Sequence, residues 1–254
     1  CALVLAAIAG PDPEDPTTGE EFRYREPAGR GGPGRRFRLG VPKDATLGAD
    51  PDVEANFARA LATLREVADL EPDVVLPDLP YGEAVSLIVD AEGGAAFRDL
   101  IESGRVALLR DATDRVGGYA MLATRAADYI DAQRARLAMR AQLGALLGRF
   151  DALVAPTRAT LAPPIGRDFD APAAKTSPAP RAEGRRAPAT IPAGNLAGVP
   201  AIALPNGFGR DGLPTSMQLL GGAFSEARLV DVADAYQRMT DWHRRRPPLG
   251  ADGS

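Results

Sequence analysis

An α/β fold, with helices packed on a sheet, is what this sequence predicts, and three features predict it. Residues 37–76 read as strand, helix and strand joined by short loops. A long amphipathic stretch ends at Phe150 and runs into the apolar ALVAP, Ala152 to Pro156. From Asn195 to Gly222 the run NLAGVPAIALPNGFGRDGLPTSMQLLGG reads as strand, turn and strand.

The elements follow in order. CALVLAAIAG is an apolar helix end with no N-cap residue before it, so the chain reads as starting inside a helix. Gly10, in a left-handed C′ conformation, and Pro11 are expected to close it. The run is too short to span a bilayer and has no basic leading segment. A surface loop is expected from about 12 to 36, where proline, glycine and charge dominate. Gly29, Gly31 and Gly34 in that loop match GxGxxG, but no strand precedes them and no helix follows, so they read as linker.

Phe37 to Pro42 is a short strand, and VEANFARALATLREVADL places Val53, Phe57, Leu61, Leu64 and Ala68 on one helix face. A buried strand is expected at Val74 to Leu76. Helical stretches follow at Glu83 to Ser103, at Arg115 to Ala123 and from about Arg125 to Phe150, the last with Ile130, Leu137, Leu143, Leu147 and Phe150 along its stripe. ALVAP is a buried strand that delivers Thr157 to a strand-to-loop junction, a place where function often sits. A long surface connection is expected from about 158 to 189. Gly198 and Pro200 start the next strand, Asn206-Gly207 and Asp211-Gly212 supply a turn, and MQLLGG returns as its partner. The final helix, Ser225 to about His243, has serine at its N-cap and buries Leu229, Val232, Ala233, Tyr236 and Met239.

Composition narrows the chemistry. At 254 residues and 45% apolar, the chain can bury a core as one large domain or two small ones. A net charge of −4 argues against a dedicated nucleic-acid or anionic-membrane surface. Cys1 is the sole cysteine, which removes disulfide, CxxC and cysteine-rich zinc sites and fits a reducing cytosol. The one histidine, His243, has no GxSxG partner and reads as a helix-end or surface residue. Glu83, Asp90 and Glu92 read as solvated or helix-packing acids. Lys175 to Ser177 joins an amine to two hydroxyls, but nothing in that arginine- and proline-rich stretch desolvates the lysine. By inventory alone the chain holds no convincing nucleophile, which leaves open a non-catalytic binding module or partner subunit of a split enzyme, and no metal or cofactor is expected.

Taken together, several segments resemble the amidase signature family of hydrolases and amidotransferases. They are CALVLAAIAGPDPEDPTT, RLGVP with VVLPDLP, DYIDAQRARL running into FDALVAPT, NLAGVPAIALPNGF with GRDGLPTSMQLLGG, and AYQRMTDWHRRRPP. The resemblance implies a mixed twisted sheet covered by helices, with residues 1–254 as the C-terminal part of a single amidase domain. It implies catalysis by a lysine and two serines, with no histidine needed. The family's glycine- and serine-rich signature is not among these residues and is expected before position 1. The implied partners are therefore a small-molecule amide substrate and the missing N-terminal half of the same enzyme, in a cytoplasmic protein compatible with a homodimer.

By the same resemblance, Thr157 and the Thr190 to Asn195 segment lie near the substrate. Asn195 matches the family's asparagine in that motif. Gln218 is a polar group on an otherwise apolar strand, which must be paired if buried and is a candidate for positioning backbone or substrate. The tRNA-dependent members tend to carry an aspartate three residues before the threonine of their TIP segment. Here that place is Ala187, which favours a general small-molecule amidase over a tRNA-dependent amidotransferase.

Overall fold

Burial of one apolar face of helix α2 (Pro51–Leu64) on a sheet organises the first part of the chain. Asp50 caps this helix by accepting from the Asp52 N–H, Pro51 opens it with a preset φ, and Asp52 and Glu54 complement its positive end. Before it lie α1 (Ala2–Ile8) and β1 (Phe37–Pro42), and after it β2 (Ala68–Val74) pairs parallel to β1. The computed structural model describes residues 1–15, 18, 24, 36–164, 189–210 and 212–246. The GxGxxG glycines, most of the loops expected at 12–36 and 158–189, Lys175 to Ser177, Ala187 and Asp211 lie outside the described residues.

The remaining elements are α3 (Tyr81–Ala96), α4 (Arg98–Glu102), α5 (Asp114–Met121), α6 (Ala126–Leu147), β3 (Ala152–Pro156), α7 (Thr190–Ala197), β4 (Ala201–Phe208), β5 (Pro214–Leu220) and α8 (Glu226–Arg238). The strands form one mixed sheet in the order β2-β1-β3-β5-β4. Pairings β1–β2 and β1–β3 are parallel, whereas β3–β5 and β4–β5 are antiparallel. The fold is thus the mixed α/β architecture expected.

Two compact units make up the chain. The first comprises Cys1–Leu76, Leu146–Pro188 and Val199–Ser254, and holds the whole sheet. Its core joins Leu39, Val154, Met217 and Leu219 of the sheet to Phe57 and Leu64 of α2 and to Leu229, Val232 and Tyr236 of α8. The second comprises Pro77–Ala145 and Ala189–Gly198 and is helical. Inside it α3 packs on α5 and α7, Gly94 lies against the Met121 backbone, and Gly118 lies against Ile101.

Several boundaries differ from the sequence reading, each for a physical reason. Helix α2 stops at Leu64, and Ala68 opens β2; spacing alone could not separate them, because Ala68 falls four residues after Leu64. The strand therefore ends at Val74, and Val75 is exposed. The stretch expected as one helix from Glu83 to Ser103 breaks at Phe97 into α3 and α4. Along α6, Leu143 and Leu147 are buried with Met139, but Ile130 and Leu137 are 49% and 66% exposed. Leu143 lies six positions after Leu137, which puts the two about 120° apart around a helix and off a common face.

Turn chemistry differs as well. Asn206 and Gly207 are not the hairpin turn: they form an irregularity inside β4, between the Pro205–Ser216 and Gly207–Thr215 pairs. The chain reverses at Gly209 to Leu213, where the Gly209 N–H donates to the Leu213 carbonyl. Ala9, in extended backbone, caps α1, and Gly10 follows it at the C′ place but with φ 151° instead of the left-handed helical conformation expected. Ser225 stands at the N-cap place of α8, but its hydroxyl donates to the Gly222 carbonyl instead of capping the helix. That helix ends at Arg238, a separate 3₁₀ turn covers Trp242–Arg244, and Met239 is exposed.

Candidate active site

Strand β5 carries the most informative polar residues. Its odd-numbered Met217 and Leu219 enter the core beneath α2 and α8. Alternation therefore puts Ser216 and Gln218 on the other sheet face. Gln218, 6% exposed, pairs in register with Ala155 of β3 on one side and Ala203 of β4 on the other. Two alanines beside a glutamine leave its amide standing above small neighbours. Gln218 is engaged by interactions within the described structure.

Thr157 follows β3 directly, and its N–H donates to the Ser216 carbonyl at 3.0 Å. The register thus brings Thr157, Ser216 and Gln218 together within the first unit. The Thr157 hydroxyl is buried and has no hydrogen-bond partner among the described residues. An unsatisfied buried hydroxyl costs about 1–3 kcal/mol, and a ligand is one way to recover it. Sequence reasoning missed Ser216. The period-two spacing from Gln218 was the signal that could have found it.

Thr190 and Asn195 belong to the second unit, on α7. The segment expected to begin as strand at Asn195 is helical through Ala197 and ends at Gly198 in the left-handed conformation, φ 66°. Gly198 donates to the Gly194 and Asn195 carbonyls, and Arg136 of α6 donates to the Leu196 carbonyl at 2.7 Å, so the C-terminal end of α7 is well satisfied. Thr190 is buried and Asn195 is exposed. Five residues apart, they do not share a helix face. In the same unit the Tyr81 hydroxyl, on the first turn of α3, is buried without a hydrogen-bond partner among the described residues, and burial pushes its pKa up. It is a further polar group of the second unit that the sequence reading did not single out.

Other chemistry is accounted for. Glu92 accepts from the Tyr129 hydroxyl at 3.1 Å, and Glu83 is exposed, as expected of helix-surface acids. His243 sits on the 3₁₀ turn, half-buried, with a buried Nδ1 that has no hydrogen-bond partner among the described residues. Among the described residues the sole lysine is Lys43, exposed after β1. No helix among them is long and apolar enough to cross a membrane. What the Thr157–Ser216–Gln218 patch can do is bind: a hydroxyl and a carboxamide that each donate and accept match a ligand offering both C=O and N–H.

A family profile described as Amidase matches residues 1–230. A glutamyl-tRNA(Gln) amidotransferase subunit of Roseiflexus castenholzii is 36% identical over 281 aligned positions, covering 100% of this chain and 54% of that protein. The chain thus spans about half the length of the curated relatives it matches. Among solved structures, similarity extends to a protein from a complex described as vestigial and as revealing the origins of an s-triazine catabolic enzyme. Its TM-score is 0.71 at 25% identity, covering 94% of this chain and 50% of that one. The native peptide amidase of Stenotrophomonas maltophilia matches with a TM-score of 0.65 at 26% identity, covering 99% of this chain and 53% of that one.

Proposed function

The chain belongs to the amidase family, and from that premise we propose that it forms the substrate-side wall of an enzyme hydrolysing a carboxamide. The reaction adds water across the acyl C–N bond, giving a carboxylate and ammonia or an amine. The two units are portions of a single amidase domain. The lysine and serine pair come from residues outside these 254 positions, as the lack of a convincing nucleophile within them supports. Thr157 and Gln218, with Ser216 between them, meet the substrate amide; Thr190 and Asn195, on α7 of the second unit, are separate candidate substrate contacts.

The observation that carries this reading is the buried Thr157 hydroxyl, unpartnered among the described residues and beside Ser216 at the end of β3. A site that keeps such a group dry stabilises a ligand that completes its hydrogen bond. The test is ammonia release from simple carboxamides by the parent polypeptide and by the 254-residue chain alone. Turnover by the parent and none by the chain is expected. Turnover by the chain alone would overturn the division of labour and return His243 and Lys175 as candidates.

A second reading is supported by the 36% identity to a glutamyl-tRNA(Gln) amidotransferase. On that reading the chain is part of a polypeptide that releases ammonia from glutamine for transfer to a glutamyl-tRNA. Glutamine cleaved in preference to carboxamides without an amino-acid head group would favour it. Ala187, in place of the aspartate of tRNA-dependent members, favours the first.

A further inference from the structure

A cleft of about 490 Å³ lies wholly within the first unit, between the C-terminal half of α2 and the end of α8. Pockets of this size take small organic molecules. Its wall contains three arginines, Arg59, Arg238 and Arg245, against a single acid, Asp241. Two of the arginines are held by carboxylates on their own turns: Arg238 by Asp234 at 2.7 Å and Arg245 by Asp241 at 3.1 Å. Among the described residues, no carboxylate pairs with Arg59.

Arg59 is nevertheless held in place. It donates to Oδ1 of Asn56, whose Nδ2 donates to the Thr215 hydroxyl at 2.9 Å, which donates in turn to Asn206 Oδ1 at 2.7 Å. Asn56, Thr215 and Asn206 are all buried, and Asn206 reaches the cleft wall. A buried polar chain thus ends in a guanidinium with N–H donors to spare. Beside it stands an aromatic corner: Arg245 lies 4.3 Å from the Trp242 ring centroid, and Trp242 meets Phe208 edge-on at 6.0 Å. Met239 and Ala60 add apolar wall.

We propose that this cleft binds an organic oxyanion, a carboxylate or phosphate monoester with an apolar body, anchored through Arg59 and seated against Trp242. The fork of Arg59 suits either anion, since both present paired oxygens. The Thr157 patch and the amide reaction are not involved, so the inference stands apart from the proposed activity.

Trp242 is the only tryptophan in the sequence, so the chain's indole emission reports the cleft directly. Phenylacetate, phenyl phosphate and the neutral 2-phenylethanol are titrated against the parent polypeptide, following the thermal midpoint and the part of the emission that Trp242→Phe removes. One or both anions should change the emission saturably and raise the midpoint, while the alcohol should not. The stronger anion identifies the class. Arg59→Gln should weaken binding by about tenfold or more, with Arg59→Lys intermediate. Trp242→Phe should abolish the emission change while leaving an anion-dependent midpoint shift. The proposal is overturned if neither anion binds, if the alcohol binds as tightly, or if folded Arg59→Gln and Arg59→Lys both bind like the wild type.

Discussion

The Asn56 carboxamide donates to the Thr215 hydroxyl at 2.9 Å, tying α2 to β5 through the interior of the sheet unit. The same nitrogen reaches the Phe208 carbonyl at 3.2 Å, so one side chain satisfies a helix, a strand and the end of a second strand. Asn56→Leu strands the Thr215–Asn206 pair and the Arg59 head group. It is expected to lower unfolding free energy by about 2–3 kcal/mol, read from the urea midpoint. A double-mutant cycle with Thr215→Val should return a coupling of about 1 kcal/mol.

Gly40 marks another tight contact. A Cβ there would meet Leu153 Cδ2 at 2.6 Å and the Phe150 ring at 3.1 Å. Gly40→Ala should therefore cost about 1–3 kcal/mol, despite alanine's better fit to extended backbone. Adding Leu153→Ala should recover part of that loss, measured as non-additivity of the two changes.

Tyr236 links the core to pH. Burial raises its phenol from 10.0 to about 12, against smaller lowering effects from the Trp242 hydrogen bond and the Arg59 charge. The folded state therefore keeps the proton where the unfolded chain has released it. This stabilisation is complete below pH ~10 and is lost as pH rises through about 12, a swing of about 3 kcal/mol. Urea midpoints between pH 9 and pH 12 should fall more steeply for the wild type than for Tyr236→Phe. Equal slopes would show that Tyr236 does not carry the effect.

Much of this architecture was legible in the sequence because it is locally periodic. The succession of β1 and α2, ALVAP as β3, and the apolar face of α8 from Leu229 to Tyr236 follow from spacing, whereas the bounds of β2 do not, because Ala68 continues the helical period of α2. Helix α7 was not legible, because TIPAGNLA carries Pro192 and Gly194 and is only two turns long. Sheet order was not legible either: β3 joins β1 and β5 across long stretches of chain, and pairing of that kind leaves no local trace. Among the candidate site residues, Gln218 announced itself as a polar residue in an apolar strand. Ser216 became visible only once register set it beside Thr157.

The most direct measurement is steady-state amide hydrolysis by the parent enzyme carrying Thr157→Val, with Thr157→Ser as the conservative control. Valine keeps the shape and removes a hydroxyl that has no partner among the described residues, so the thermal midpoint should stay the same or rise slightly. The account predicts kcat/KM lowered by about tenfold or more in Thr157→Val and largely restored in Thr157→Ser. Wild-type kcat/KM in a folded Thr157→Val enzyme would contradict it and leave the Thr157–Ser216–Gln218 patch a packing feature of the sheet.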